Sequence, residues 1–385
     1  MGILICSGVN PKGFKTLAIG DQAPDFNLLG VDGKTYSLSD FSSSDILMIY
    51  FTGTHCPTSN GVEARVQQLV SDMASESFQL VAINPNNDSG MRMDEYSYSR
   101  YTESFEDSKR YAKDLGWTFP FLYNGDKQDV AKAYGCLATP HVFIFDKKRK
   151  LRYQGRYDDS RFPDPKTVKR HDARNAVEAL LAGKKVSVEK TRPFGCSTKW
   201  KEKKQSVEKS NADWNALPAV TEEIDLAGVE KLVKNGSGKV RLINFWATYC
   251  PPCINKLPDI AALNRRFSNR KFELITISQD EPKEKEQVEK MLSAKNIATG
   301  KKQQNSLLKE GRRTNNYIYT ETDYEALASA VDPEWAGPIP YTILVNNDGE
   351  ILYRCTSGID SQKVIDLVLE ELTTYWDSSK FKAKK

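Results

Sequence analysis

Long hydrophobic runs are missing from this 385-residue chain, and so is any marked excess of charge: 55 basic residues stand against 51 acidic ones, a formal net charge of +4. The first absence predicts a chain with no membrane span, because no run approaches the length a bilayer-crossing helix needs. The second removes the electrostatic case for a nucleic-acid partner, which calls for a concentrated basic face. The lysines that do cluster lie around residues 199–213 and at the C-terminus, where a solvated segment accounts for them. Seven cysteines, an odd number, do not make a dense disulfide framework, and three histidines offer little to a metal. No metal and no cofactor is expected.

Two of those cysteines stand in Asn244-Phe245-Trp246-Ala247-Thr248-Tyr249-Cys250-Pro251-Pro252-Cys253. The apolar run Val240 to Trp246 reads as a buried strand, and a helical pattern follows Cys250, with Leu257, Ile260, Ala261, Leu263 and Phe267 on one face. Cys250 therefore occupies a strand-to-helix junction, where unpaired N–H groups and the positive end of the helix dipole favour a thiolate. Cys253, one turn on, is placed to resolve a mixed disulfide formed at Cys250. The other chemistry of this spacing is half a zinc site, which needs two further ligands that the three histidines do not supply near a second cysteine pair. Trp246 and Tyr249 are expected to flank the sulfurs as an apolar contact surface.

The arrangement occurs twice. A run from Ile46 to Phe51 leads to His55-Cys56-Pro57-Thr58-Ser59 and a helix with Val62, Val66, Leu69, Val70 and Met73 on one face. The strands Phe78 to Ile83 and Phe272 to Ser278 follow in each half. Each half then reaches a strand opened by proline, at Thr139-Pro140 and Ile339-Pro340, 84 residues after Cys56 and 90 after Cys250. The chain reads as a tandem duplication of one βα plan: an N-terminal extension (1–15), a first domain (16–200), a linker (201–213), a second domain (214–376) and a basic tail (377–385). Gly300 to Thr322 reads as a polar insertion, and 332–337 as a loop that shapes a substrate rim or simply a lid. Met1 to Gly8 reads as the trimmed remnant of an export signal or a scar, with Cys6 a poor lipidation site.

Phe245-Trp246-Ala247-x-x-Cys250-x-x-Cys253, with Pro258 inside the helix, resembles the thioredoxin superfamily, and the second domain resembles its TlpA-like thiol-disulfide oxidoreductases. Ile19-Gly20-Asp21 through Phe26, His55-Cys56-Pro57, Tyr134-Gly135, Tyr157-Asp158-Asp159 and Gly195-Cys196-Ser197-Thr198-Lys199-Trp200 resemble the redoxins of the alkyl hydroperoxide reductase and thiol-specific antioxidant family. The resemblance implies an α/β protein of two thioredoxin-like folds, each a mixed β-sheet flanked by helices. It also implies cis bonds at Pro140 and Pro340, so that Thr139-Pro140 and Ile339-Pro340 present backbone to an extended client strand. Asn244 stands where thioredoxin has a buried acid, with Glu334 or water as its substitute.

Three functions follow. The first is a thiol-disulfide oxidoreductase, a disulfide reductase of redox homeostasis, with Cys250 as nucleophile and Cys253 resolving; its partners are protein disulfides or dithiols and a thiol electron donor. The second is a peroxide-consuming thiol peroxidase at Cys56 recycled by domain two. Against it, Ile49 and Gly53 stand where peroxidases carry proline and threonine, and His141 where an arginine is sought. The third makes domain one a non-catalytic substrate- or partner-binding module. Gly53 replaces a cysteine common in the resembled subfamily, which leaves Cys56 as a monothiol, a partner of Cys136, or inert. Cys196 is a candidate for closing the tail of the domain onto its body, and Cys355 for core packing. The resemblance implies a bacterial extracytoplasmic (periplasmic) location.

Overall fold

A run of apolar residues long enough to cross a sheet is stable when both faces of the sheet are covered. Ile46–Phe51 and Val240–Trp246 are such runs, every residue buried, and each is the middle of one α/β unit. The structure, a computed structural model, describes residues 14–74 and 77–372; the stretch around Cys6 and the basic tail lie outside them. Of the described residues, one compact unit takes in 14–91 and 101–207, and the other 92–100 and 208–372.

The first unit begins with an antiparallel pair, β1 (Asn27–Leu29) and β2 (Thr35–Ser37), joined through Gly33 at φ +84. There follow β3 (Ile46–Phe51), α1 (Pro57–Asp72), β4 (Phe78–Asn84), α2 (Phe105–Asp114), β5 (Phe121–Tyr123), α3 (Asp129–Tyr134), β6 (Ala138–Thr139), β7 (His141–Phe145), β8 (Leu151–Gly155), α4 (Asp172–Leu181) and β9 (Cys196–Ser197). The sheet order is β5-β4-β3-β7-β8, with β3, β4 and β5 parallel and β7 and β8 antiparallel. Alternation along β3 sends Met48 and Tyr50 into a core with Val62, Val66 and Leu69 of α1, and Leu47, Ile49 and Phe51 into a second core with Trp200.

The Tyr157-Asp158-Asp159 stretch clamps α1. Arg65 donates from Nε and Nη2 to the two Asp158 oxygens at 2.7 and 3.2 Å, and Asp158 is 1% exposed. Asp158→Ala leaves the guanidinium its carbonyl acceptors on Gly61, Ser160, Phe162 and Pro163 but removes its counter-charge, and the loss of one partner of a buried pair costs about 3–5 kcal/mol. Urea unfolding of the first unit should register that loss; a change below about 1 kcal/mol would show the clamp to be incidental.

After α5 (Lys204–Asn215), most of which belongs to the second unit, come β10 (Thr221–Ile224), α6 (Leu226–Lys234), β11 (Val240–Trp246), α7 (Pro251–Phe267), β12 (Phe272–Ser278), α8 (Lys285–Ala294), α9 (Lys301–Lys309), β13 (Asn316–Tyr319), α10 (Tyr324–Val331), β14 (Tyr341–Val345), β15 (Ile351–Cys355) and α11 (Ser361–Leu372). The order β10-β13-β12-β11-β14-β15 repeats the first sheet and adds one strand at the edge.

Two stretches differ from their sequence reading. The linker is largely helical: α5 buries no residue and so has no apolar face to read, and Lys209 pairs with Asp213 at 3.2 Å one turn on. The supposed insertion at Gly300 to Thr322 holds α9 and β13, and β13 lies inside the sheet between β10 and β12. Its four residues, Asn-Tyr-Ile-Tyr, are too few to show a period, and the tyrosines bury rings that read as polar.

Candidate functional site

Cys250 lies where β11 ends and is the N-cap of α7, with Pro251 as first helical residue. Its Sγ accepts the Cys253 N–H at 3.3 Å, so one of the open helix donors points at the sulfur. The two cysteines are joined as a disulfide, their Cα atoms 5.3 Å apart. Cys250 keeps 7% of its surface and Cys253 2%. The pair is thus less open than its sequence neighbours suggest, and Cys250 is the more accessible sulfur. The preceding loop is held by Asp280, which accepts from Thr248 N at 2.9 Å. Ile339 packs on the same core as the cysteines, and the Ile339–Pro340 bond is cis. Among the described residues no group of three or more His, Cys, Asp and Glu side chains is arranged to hold a metal ion.

The expected contact surface divides. Tyr249 is 64% exposed beside the cysteine, but Trp246 is fully buried, because its even offset along β11 turns it into the core under α7. Trp246 supports the loop and cannot touch a client. Asn244, two residues earlier on the same face, donates from Nδ2 to Thr342 Oγ1 at 2.9 Å, while its Oδ1 is buried without a protein partner. Glu334 does not substitute for an acid there. It pairs with Arg354, which opposes Ile343 on the far face of the sheet. Trp335, in the same loop, stacks on Tyr341 at 4.5 Å and belongs to the core rather than to a rim or lid.

The first domain repeats the junction with different chemistry. Cys56 caps α1 ahead of Pro57 and is fully buried. Its thiol meets Thr139 O at 2.9 Å, next to the cis Thr139–Pro140 bond, and its sulfur accepts the Cys196 N–H at 3.4 Å. Burial opposes ionisation, but the hydrogen bond from the Cys196 side chain, the charge of His55 and the N–H groups of Ser59 and Cys196 outweigh it and hold Cys56 well below the usual thiol range. His55 is clamped by Glu103, whose Oε1 meets Nδ1 and also accepts the His55 N–H at 2.9 Å. Glu103, fully buried against that desolvation, is kept low by His55. On α1, seven residues after the capping cysteine, Glu63 occupies the place that Leu257 holds in α7. Burial, helped by Cys56, pushes its carboxyl up to about 8.

Cys136, a candidate partner of Cys56, is free and fully buried, and is not bonded to it. Burial raises its thiol to about 12, and it contacts Ala138 O and Thr198 instead. Nor does His141 stand in for a peroxidase arginine, since burial pushes it down to about 4 and leaves it neutral. Gly53 has a steric reason: a Cβ there would lie 2.3 Å from Asn86 Nδ2 and 2.9 Å from Glu103 Oε1. Cys355 is half-buried on edge strand β15, its thiol on Gly358 O at 3.1 Å, and is not core. Cys196, Glu63 and Glu103 escaped sequence reasoning as members of the Cys56 site.

Residues 19–154 match the AhpC/TSA family and residues 213–366 match Redoxin. The chain is a tandem of an AhpC/TSA domain and a Redoxin domain. Two curated relatives, both called thiol-disulfide oxidoreductase ResA, come from Halalkalibacterium halodurans and Geobacillus thermodenitrificans. They are 26% identical over 141 and 137 residues, which is 36% and 35% of this chain and 66% and 68% of theirs. The match thus spans about two thirds of those relatives. A solved hypothetical protein of Sinorhizobium meliloti is 32% identical, with a TM-score of 0.43, over 49% of this chain and 97% of its own. Both domains have the thioredoxin-like fold, the AhpC/TSA domain carrying Cys56 and the Redoxin domain carrying Cys250 and Cys253.

Proposed function

We propose that the protein is a thiol-disulfide oxidoreductase that reduces protein disulfides through Cys250 and Cys253. The observation that carries this reading is the Cys250–Cys253 disulfide at the tip of α7, in the same core cluster as Ile339 of the cis Ile339–Pro340 bond. The ResA relatives support the same class of chemistry.

In the reduced enzyme the Cys250 thiolate, favoured by the α7 N-terminus, attacks one sulfur of a client disulfide and releases the other as a thiol. Cys253 then attacks Cys250 Sγ, freeing the client and leaving the Cys250–Cys253 disulfide for a thiol donor to reduce. Cys250 leads because it is the helix cap and the less buried of the two. Backbone at Ile339–Pro340 aligns the client strand. An extracytoplasmic home, where disulfides persist, suits this activity.

Tyr249 is the exposed apolar contact. Tyr249→Ala should raise KM for a protein disulfide several-fold at unchanged kcat, about 1 kcal/mol of uniform binding. Insulin reduction at varied substrate concentration reads the split; a fall in kcat at constant KM would place Tyr249 in the chemistry instead.

A further inference from the structure

The tail of the AhpC/TSA domain occupies the place a client would take. β9 pairs antiparallel with β6, with Cys196 opposite Thr139, the residue before the cis proline. This is the backbone pairing expected of an extended client strand, formed here within the chain. The approach demands glycine at 195: φ is +148, and a Cβ would lie 2.0 Å from Thr139 O. The tail is anchored beyond it as well. Lys199 O accepts the Asn87 N–H at 2.9 Å, Lys199 N donates to Asn86 Oδ1 at 3.0 Å, and Trp200 is buried in the core. Cys196 is consequently fixed with its N–H 3.4 Å from Cys56 Sγ. It is half-buried where Cys56 has no exposed surface.

We propose that Cys56 and Cys196 are a second dithiol/disulfide centre, 140 residues apart in sequence, in which Cys196 meets an external small-molecule disulfide and Cys56 closes the ring. Cys196 loses its proton to solvent, and its thiolate attacks a disulfide RSSR. A Cys196–SR bond forms, the RS–SR bond breaks, and the first RS⁻ departs to take a proton from solvent. The Cys56 thiolate then attacks Cys196 Sγ, forming Cys56–Cys196 and releasing the second RS⁻. Two electrons have moved from the two cysteines to RSSR. His55 and Glu103, paired next to Cys56 and both buried, hold that side of the site in place through both steps. This accounts for a domain that lacks a second cysteine in its Cys56-x-x-Ser59 turn: the resolving partner arrives from the tail.

The test is peptide mapping of the full chain after equilibration with oxidised glutathione and acid quenching, then alkylation of the remaining thiols. The expected result is a Cys56–Cys196 cross-linked peptide that persists in the Cys250→Ser/Cys253→Ser double variant, so that its fate is independent of the reductase reading. Cys56→Ser should then retain glutathione on Cys196, and Cys196→Ser should retain none on the buried Cys56. Full alkylation of Cys56 and Cys196 in wild type, in a sample where Cys250–Cys253 is oxidised, would overturn the proposal. So would a Cys56–Cys136 cross-link, or glutathione found on Cys56 in Cys196→Ser.

Discussion

Cys250→Ser is expected to bring disulfide reduction down to the uncatalysed background, and Cys253→Ser to stop turnover after a single attack. The asymmetry follows from position. Cys250 is the cap of α7, with an N–H aimed at its sulfur and the larger share of exposed surface. Cys253 is buried one turn on, in the core, and is bonded to Cys250. Serine in place of Cys250 keeps the cap, since its hydroxyl accepts the same N–H, but removes the nucleophile, so the fold survives while the rate does not. Insulin reduction with a thiol donor in excess measures both variants. A Cys250→Ser enzyme that keeps wild-type turnover would move the chemistry elsewhere.

A comparably large effect concerns Glu63. Its carboxyl is raised from an ordinary value to about 8, first by burial and then by Cys56. A carboxyl whose folded value lies above its unfolded one stabilises the fold fully below the unfolded value, and that contribution is lost as pH rises through the folded one. Between pH 4.5 and 8 the loss attributable to Glu63 is up to roughly 5 kcal/mol. Cys56 works in the opposite sense, its lowered thiol adding stability as pH rises toward the ordinary thiol range. The difference between wild type and Glu63→Gln isolates the carboxyl. Hydrogen exchange of the Ile46–Phe51 amides should show the variant gaining on wild type steadily as pH rises from 4.5 to 8. Parallel pH profiles would mean that Glu63 ionises at an ordinary pH.

Much of the fold was legible because apolar runs are unambiguous when they are short and complete. Val240 to Trp246 and Phe272 to Ser278 were read with the bounds the structure has, and the cysteine-to-proline spacing exposed the duplication. Reading failed where one residue type serves two environments. Tyrosines hid β13, a polar stretch with no buried face passed for a linker in α5, and Trp246, three residues before the exposed Tyr249, turned inward on the strand period. Within the sites, Cys250 and Cys253 are local in sequence and needed only the strand-to-helix rule. The Cys56 site is not local. Glu103 reaches His55 from 48 residues away, Cys196 reaches Cys56 from 140, and Glu63 looks like any exposed helical acid until the burial of α1 is known. Such juxtapositions depend on how strands order in a sheet, which no window of sequence contains.

The central claim, that Cys250 is the attacking sulfur and Cys253 the resolving one, is tested most directly by trapping. Reduced Cys253→Ser protein, mixed with insulin, quenched with acid and mapped by mass spectrometry, should carry an insulin chain joined through Cys250. An insulin chain joined through another cysteine, or none at all under conditions where wild type reduces insulin, would contradict it.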